Sequence, residues 1–412
     1  MNLKQLIKQG STIVALVTSL FSSMSYSNTL VFFGDSLSDT GNYPEPENVT
    51  LPQLKNFNLY VPVTNPVPEK LYGTAGYPSV DFLKKSIPHQ GLINGEPKPL
   101  YSINWPMYLA SDKGQPSIVT WFNYITNGGK RKVSLNYAWA SAIASGKSGC
   151  YHDNGDIFSG DCNESTILDN RVKYIQNTES NSNYDKQNGF KYSDLQIPNL
   201  AKQVDLYFED TNQSQRRDAN IFIYIGGNDI SNLLRSKLIR LVLEPRGVFN
   251  KLIDREMVLL ADNILRTVAR IRVQDPTAHI YVLTLPNFTY LHAGHSYQSI
   301  PIIGGKVSDV LAYTISQFND NLKQKLSGLT NVKVIDSGAY LNSLARQKTY
   351  AKSVLSGSTC INSSSGVYES AASQNSNCYY GKHHTSSYYS WNNAHYVSSV
   401  NQKLADYVLM NM

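Results

Sequence analysis

Five short, β-rich, mainly apolar runs punctuate an otherwise polar chain: Leu30–Phe33, Val133–Tyr137, Ile221–Ile225, Ile280–Leu283 and Val332–Ile335. Runs of this length without a strict apolar/polar alternation suit strands buried on both faces of a parallel sheet. Between them the apolar spacing changes to steps of three and four. Leu252, Leu259, Leu260, Asn263, Ile264, Val268 and Ile271 predict an amphipathic helix over 252–271, and Val397, Val400, Leu404 and Val408 predict a last helix directly after His395. Strands alternating with helices predict a three-layer α/β/α sandwich around a five-stranded, mainly parallel sheet. Three polar stretches, 43–100, 146–194 and 342–390, interrupt this pattern as long loop insertions. Loops of that length inside a compact domain act as lids or binding loops.

The amino terminus follows a different rule. Lys4 and Lys8 precede an apolar stretch from Ile13 to Phe21, and small residues at Ser25 and Ser27 suit cleavage before Asn28. Residues 1–27 therefore read as a secretory signal, the apolar run being short for a membrane span. Export to the periplasm or the medium is the expectation. Two of the 37 basic residues lie in that segment, which leaves 35 against 31 acidic ones. The charges are scattered, with Arg216-Arg217 and Lys130-Arg131-Lys132 the densest groups, so nucleic acid is not an expected partner.

In an oxidising compartment the four cysteines bear on the loops. Local pairing, Cys150 with Cys162 and Cys360 with Cys378, is the preferred of three connectivities, each bridge closing a short polar loop. The C-x11-C and C-x17-C spacings do not match metal-ligand patterns, so neither a metal nor any other cofactor is expected.

Candidate chemistry begins where the first apolar run stops. In LVFFGDSLSDTGN, Leu30 to Asn42, Gly34-Asp35-Ser36 presents a serine at the carboxyl end of a strand, where open α/β sheets hold their reactive groups. Gly, Asp and Ser are also ordinary turn residues, so this segment alone leaves a polar turn equally open. A second strand with a polar end follows in ANIFIYIGGND, Ala219 to Asp229, and Trp391-Asn392-Asn393-Ala394-His395 sets a histidine ahead of the last helix.

In this order, these three blocks resemble those of the GDSL esterases and lipases of the SGNH hydrolase superfamily. Further segments are similar to the family's framework: YSINWPMYLA (Tyr101 to Ala110), NYAWASA (Asn136 to Ala142), VLTLP (Val282 to Pro286) and FNDNL (Phe318 to Leu322). The resemblance implies a flavodoxin-like SGNH hydrolase fold, a single domain over 28–412, and a serine acyl-enzyme mechanism. It makes Ser36 the nucleophile and His395 the base. The oxyanion donors become the Ser36 N–H, the N–H of Ser141 (or of Ala140 if the alignment slips by one) and the Asn228 side chain. Ala140 and Ser141 stand where the family usually has two glycines, a mild departure because any residue but proline carries a backbone N–H.

Asn392 is the larger departure. The family's last block usually has an aspartate there, which orients the histidine and stabilises the imidazolium, whereas a neutral amide favours the wrong tautomer. A backbone carbonyl near Trp391, the Asn392 carbonyl oxygen or a bound anion are the alternatives. A carboxylate such as Asp336 is another, although its position more often caps a strand–loop junction. The D-T-G-N continuation looks most like the secreted bacterial phospholipase and glycerophospholipid–cholesterol acyltransferase branch, implying lipid or lysophospholipid substrates, a membrane surface as partner, and acyl transfer to a sterol or other alcohol beside hydrolysis. That branch includes enzymes activated by cleavage of a disulfide-closed loop, which makes 360–378 a candidate protease target. The alternatives are a carbohydrate O-acetyl esterase and, given Asn392, a non-catalytic binding protein on the same fold.

Overall fold

The structure is a computed structural model and describes residues 29–40, 92–93, 96–97, 104–113, 118–121, 134–139, 142–146, 149–150, 196–237, 240, 243–292, 294–295, 304–359, 387–390 and 395–412. In chain order the strands are β1 (Leu30–Gly34), β2 (Leu92–Ile93), β3 (Glu96–Pro97), β4 (Ile118–Thr120), β5 (Ser134–Asn136), β6 (Gly149–Cys150), β7 (Gln196–Ile197), β8 (Asn220–Tyr224), β9 (His279–Leu283) and β10 (Val332–Ile335). The helices are α1 (Trp105–Asp112), α2 (Leu200–Asp210), α3 (Gln213–Arg216), α4 (Gly227–Ser236), α5 (Arg246–Gln274), α6 (Gly304–Leu326), α7 (Ser337–Ala345), α8 (Lys348–Ser356) and α9 (Ser398–Met410).

All five expected strands lie in one parallel sheet of order β10-β9-β8-β1-β5-β4. The added edge strand, β4, is three residues long, too short for its apolar pattern to stand out. Two short antiparallel pairs, β2 with β3 and β6 with β7, lie outside the sheet. Chain order reverses at β1, which pairs with β8 on one side and β5 on the other. Such a reversal opens a crevice at the carboxyl ends of the strands, because the connections leave in opposite directions.

Burial follows the layering. Helices α2, α5 and α6 pack together, as do α1, α7 and α9, giving a helix layer on each face of the sheet. Phe32 stacks on Phe222 at 5.1 Å, Phe222 stacks on Tyr281 at 5.1 Å, and the Trp105 ring meets Phe32 edge-on at 5.3 Å. These contacts seat α1 against the central strands, in offset and edge geometries that aromatic pairs favour.

Two expectations are corrected. The polar insertion expected over 342–390 opens with helix, because α7 and α8 continue to Ser356 and bury Leu341, Leu344, Ala345 and Tyr350 at helical spacing. On α5 the buried line is Phe249, Ile253, Met257, Leu260, Ile264, Val268 and Ile271, whereas Leu259, expected on the apolar face, is exposed.

Candidate active site

Ser36 leaves the sheet on a turn that its neighbours hold in place. A Cβ on Gly34 would lie 2.3 Å from the Tyr224 carbonyl oxygen, so only glycine admits the close approach of β8 there. The Asp35 carbonyl accepts the N–H groups of Ser38 and Asp39 at 3.0 Å each, and Asp35 Oδ1 accepts the Leu37 N–H at 3.0 Å. Asp35, Leu37, Ser38, Asp39 and Thr40 are buried, while Ser36 between them is partly exposed. Beyond it, Asn136 Nδ2 donates to the Ser38 carbonyl (2.7 Å) and Thr40 Oγ1 (2.9 Å), and Asn104 Nδ2 donates to the Asp39 carbonyl (2.9 Å).

Gln203, on α2, was not among the expected site residues. Its Oε1 accepts the Gly34 N–H at 2.8 Å, and its Nε2 donates to the Gly34 carbonyl at 2.9 Å and to the Pro198 carbonyl at 3.1 Å. The amide thus acts as one more strand residue laid against the end of β1. Its only mark in the sequence is a polar residue among the apolar positions Leu200, Val204 and Tyr207 of a buried helix face.

Asn228 enters from the next strand. Gly34 pairs with Tyr224, so Ser36 and Asn228 follow one paired position by two and four residues, on strands about 4.8 Å apart. Gly226 at φ 119° turns the chain into α4, with the Phe318 ring 3.0 Å from where its Cβ would be. Asn228 Nδ2 donates to the Ala142 carbonyl at 2.9 Å, and an amide nitrogen carries a second hydrogen. Asp229 accepts the N–H groups of Ala144 (2.9 Å) and Ser145 (3.0 Å) and the Ser145 hydroxyl (2.5 Å). The loop between β5 and this point is thereby tied at both ends, since the Trp139 N–H donates to the Gly34 carbonyl at 3.1 Å. Ala140 and Ser141 lie within it, outside the described residues.

His395 is partly buried and sits between a small bridge and a helix. Ser390 pairs with both Thr359 and Tyr396, and α9 starts at Ser398. Tyr396, next to His395, is buried with its ring edge-on to Tyr389 at 5.3 Å. Burial pushes the phenols of Tyr224 and Tyr396 well above their ordinary range, and Asp35 adds to the shift of both. The residue after His395 is therefore within electrostatic reach of the residue before Ser36. Burial also moves the titration of His395 down to about 4 and that of Asp35 up to about 7, the latter opposed by the Leu37 N–H and reinforced by Asp229. Asp229 rises to about 6 by burial, against its hydrogen bonds from Ser145 and Ala144.

Asp336 caps α7, accepting from Lys323 Nζ at 2.6 Å and Thr284 Oγ1 at 2.9 Å, so it is engaged at the strand–helix junction. Trp391, Asn392, Cys162, Cys360 and Cys378 lie outside the described residues. Cys150 ends β6.

No protein-family model matches the chain, and no curated protein does. Among solved structures, the chain is similar to phospholipase A1 from Streptomyces albidoflavus NA297, with 10% identity and a TM-score of 0.37 over 93% of this chain and 98% of that one. It is also similar to an extracellular lipase from Streptomyces rimosus, with 11% identity and a TM-score of 0.31 over 76% of this chain and 81% of that one.

Proposed function

We propose that this chain is a secreted serine acyl-ester hydrolase acting on lipid esters, with phospholipase A or lysophospholipase activity and the capacity to pass the acyl group to a lipid alcohol. Ser36 Oγ adds to the ester carbonyl carbon while its proton passes to the His395 imidazole, and the carbonyl electron pair moves onto oxygen. That oxyanion is held by the Ser36 N–H, by the Ser141 or Ala140 N–H, and by the second amide hydrogen of Asn228. Collapse expels the alcohol, which takes the proton from His395. Water or another alcohol then repeats the sequence on the acyl-enzyme. A histidine that titrates near 4 is neutral at pH 7, the form a general base needs.

The observation that carries this reading is the register at the sheet's topological reversal, where Ser36 and Asn228 follow neighbouring strands, and the phenol of Tyr396, beside His395, interacts with Tyr224 and Asp35 at the ends of those strands. The choice of lipid esters rests on the D-T-G-N continuation and the order of the sequence blocks. The test is labelling with a fluorophosphonate probe, followed by p-nitrophenyl esters of increasing chain length. Wild type is expected to label and to hydrolyse long acyl chains, Ser36→Ala to do neither while keeping its unfolding midpoint, and Asn228→Ala to lose about 10²–10³ in turnover. Activity confined to acetyl esters would favour glycan deacetylation, and an unlabelled Ser36 would leave a binding protein.

A further inference from the structure

Helices α5 and α6 overshoot the sheet on the side that carries Ser36 and Asn228. Asn319 of α6 exchanges two hydrogen bonds with the backbone of Leu285, just past β9, at 2.9 and 2.7 Å, and Phe318 lies against Gly226 at the end of β8. This level of α6 therefore marks the carboxyl edge of the sheet. The helix runs from Gly304 toward the start of β10, so its part before Phe318, about 20 Å long at 1.5 Å per residue, continues past that edge. Helix α5 runs beside it in the same direction, as the pairs Arg246 with Asp309 (3.6 Å), Asp254 with Tyr313 (2.6 Å) and Asp262 with Lys325 (2.7 Å) require. The first turns of α5 rise with it.

This shoulder has an unusual surface. Leu243 is 76% exposed and Val248 52%; Val273, Leu355 and Met410 are exposed as well, but singly and on other elements or at the far end of α5. Val248, Lys251, Arg255 and Leu259 recur at steps of three and four, and all four are exposed, so they form one outward face of α5. Arg240 and Arg246 flank its start. Arg246 pairs with Asp309 in a largely solvated pair at 3.6 Å, Arg240 is held by Glu244 at 2.7 Å, Asp254 accepts the Tyr313 hydroxyl, and Glu256 is half-buried. Among the described residues neither Lys251 nor Arg255 is in a salt bridge.

We propose that Arg240, Leu243, Arg246, Val248, Lys251 and Arg255 form a docking surface for an anionic phospholipid bilayer. Exposed aliphatic side chains ringed by arginine and lysine match the bilayer interface, where apolar groups enter the acyl boundary and cations meet the phosphates. Nucleic acid would leave the leucine and valine without an apolar partner, and Lys251 and Arg255, outside any salt bridge among the described residues, are free to meet lipid phosphates. Its use, holding the catalytic edge toward a lipid surface, rests on the lipid-ester reading above, whereas the binding itself does not.

The test is co-sedimentation of the full chain with vesicles of phosphatidylcholine alone or with 30% phosphatidylglycerol, at low and high salt. Wild type is expected to bind the anionic vesicles, and to bind them less at high salt. Both L243D/V248D and R246E/K251E are expected to bind at least tenfold more weakly, with hydrolysis of short soluble esters unchanged. Equal binding by wild type and variants, or no preference for anionic vesicles, would overturn the proposal. So would dimerisation in sedimentation velocity that the same substitutions abolish. If Ser36 fails to label while vesicle binding still depends on these residues, the enzymatic reading fails and the docking surface stands.

Discussion

Gly34 and Gln203 decide how Ser36 leaves the sheet. The glycine lets the Tyr224 carbonyl come closer than any Cβ allows, and the Gln203 amide satisfies both the donor and the acceptor of the same residue. Gln203→Leu keeps the volume roughly but leaves the buried Gly34 N–H without its partner. The expected cost is ~1–3 kcal/mol in urea unfolding, the range for an unsatisfied buried group. Because the turn loses its brace, fluorophosphonate labelling of Ser36 should slow as well. Unchanged labelling in a destabilised variant would make Gln203 a structural residue only. Gly34 is legible in its motif and Gln203 is not, because a single glutamine in a helix has no signature until its partner strand is known.

Between α4 and the loop after β5, Asp229 is the link. One carboxylate receives two backbone N–H groups and one hydroxyl from Ala144 and Ser145, and it lies in the first turn of α4, next to Asn228. The element that carries Asn228 and the loop containing Ala140 and Ser141 are thus set relative to one another. Asp229→Asn has only one acceptor oxygen for these donors. Turnover on a short ester is expected to fall about tenfold, less than the 10²–10³ for deleting an oxyanion donor outright, with faster hydrogen exchange at Ala144 and Ser145 as the structural readout. Equal exchange and unchanged turnover would show that the tie is dispensable. The motif GGND announces Asp229, yet its partners became visible only when two elements 84 residues apart met.

For the whole molecule, buried titrating groups set the pH dependence of stability. Asp35 and Asp229 titrate in the folded state at about 7 and about 6, above the ordinary 3.8, so their protonated forms favour folding. That contribution is complete below about 3.8 and is lost as pH rises through 6 and 7. His395 acts in the opposite sense, because its titration is depressed to about 4 from 6.5. Its contribution is present above 6.5 and lost as pH falls through 4. Asp35→Asn keeps an oxygen for the Leu37 N–H and removes the carboxylate. The variant is expected to gain stability over wild type at pH 8 and to match it near pH 4, measured by urea unfolding at both. A constant difference across this range would mean that Asp35 titrates as an ordinary carboxylate.

Local sequence determined the five main strands, the helix periodicity over 252–271 and the ordered series of GDS, GGND and His blocks, because each depends on contiguous residues and on burial that every sheet of this kind imposes. Tertiary structure decided the rest. It added β4, extended helix into 342–356 and turned Leu259 outward, since which side of a helix is buried depends on what packs beside it. It also made Gln203 a brace of the Ser36 turn and Asp229 a brace of the Asn228 segment, and raised the first turns of α5 above the carboxyl edge of the sheet. Those properties belong to pairs of elements distant in the chain, and a hydrogen bond or an overshoot between two elements has no counterpart in the sequence of either.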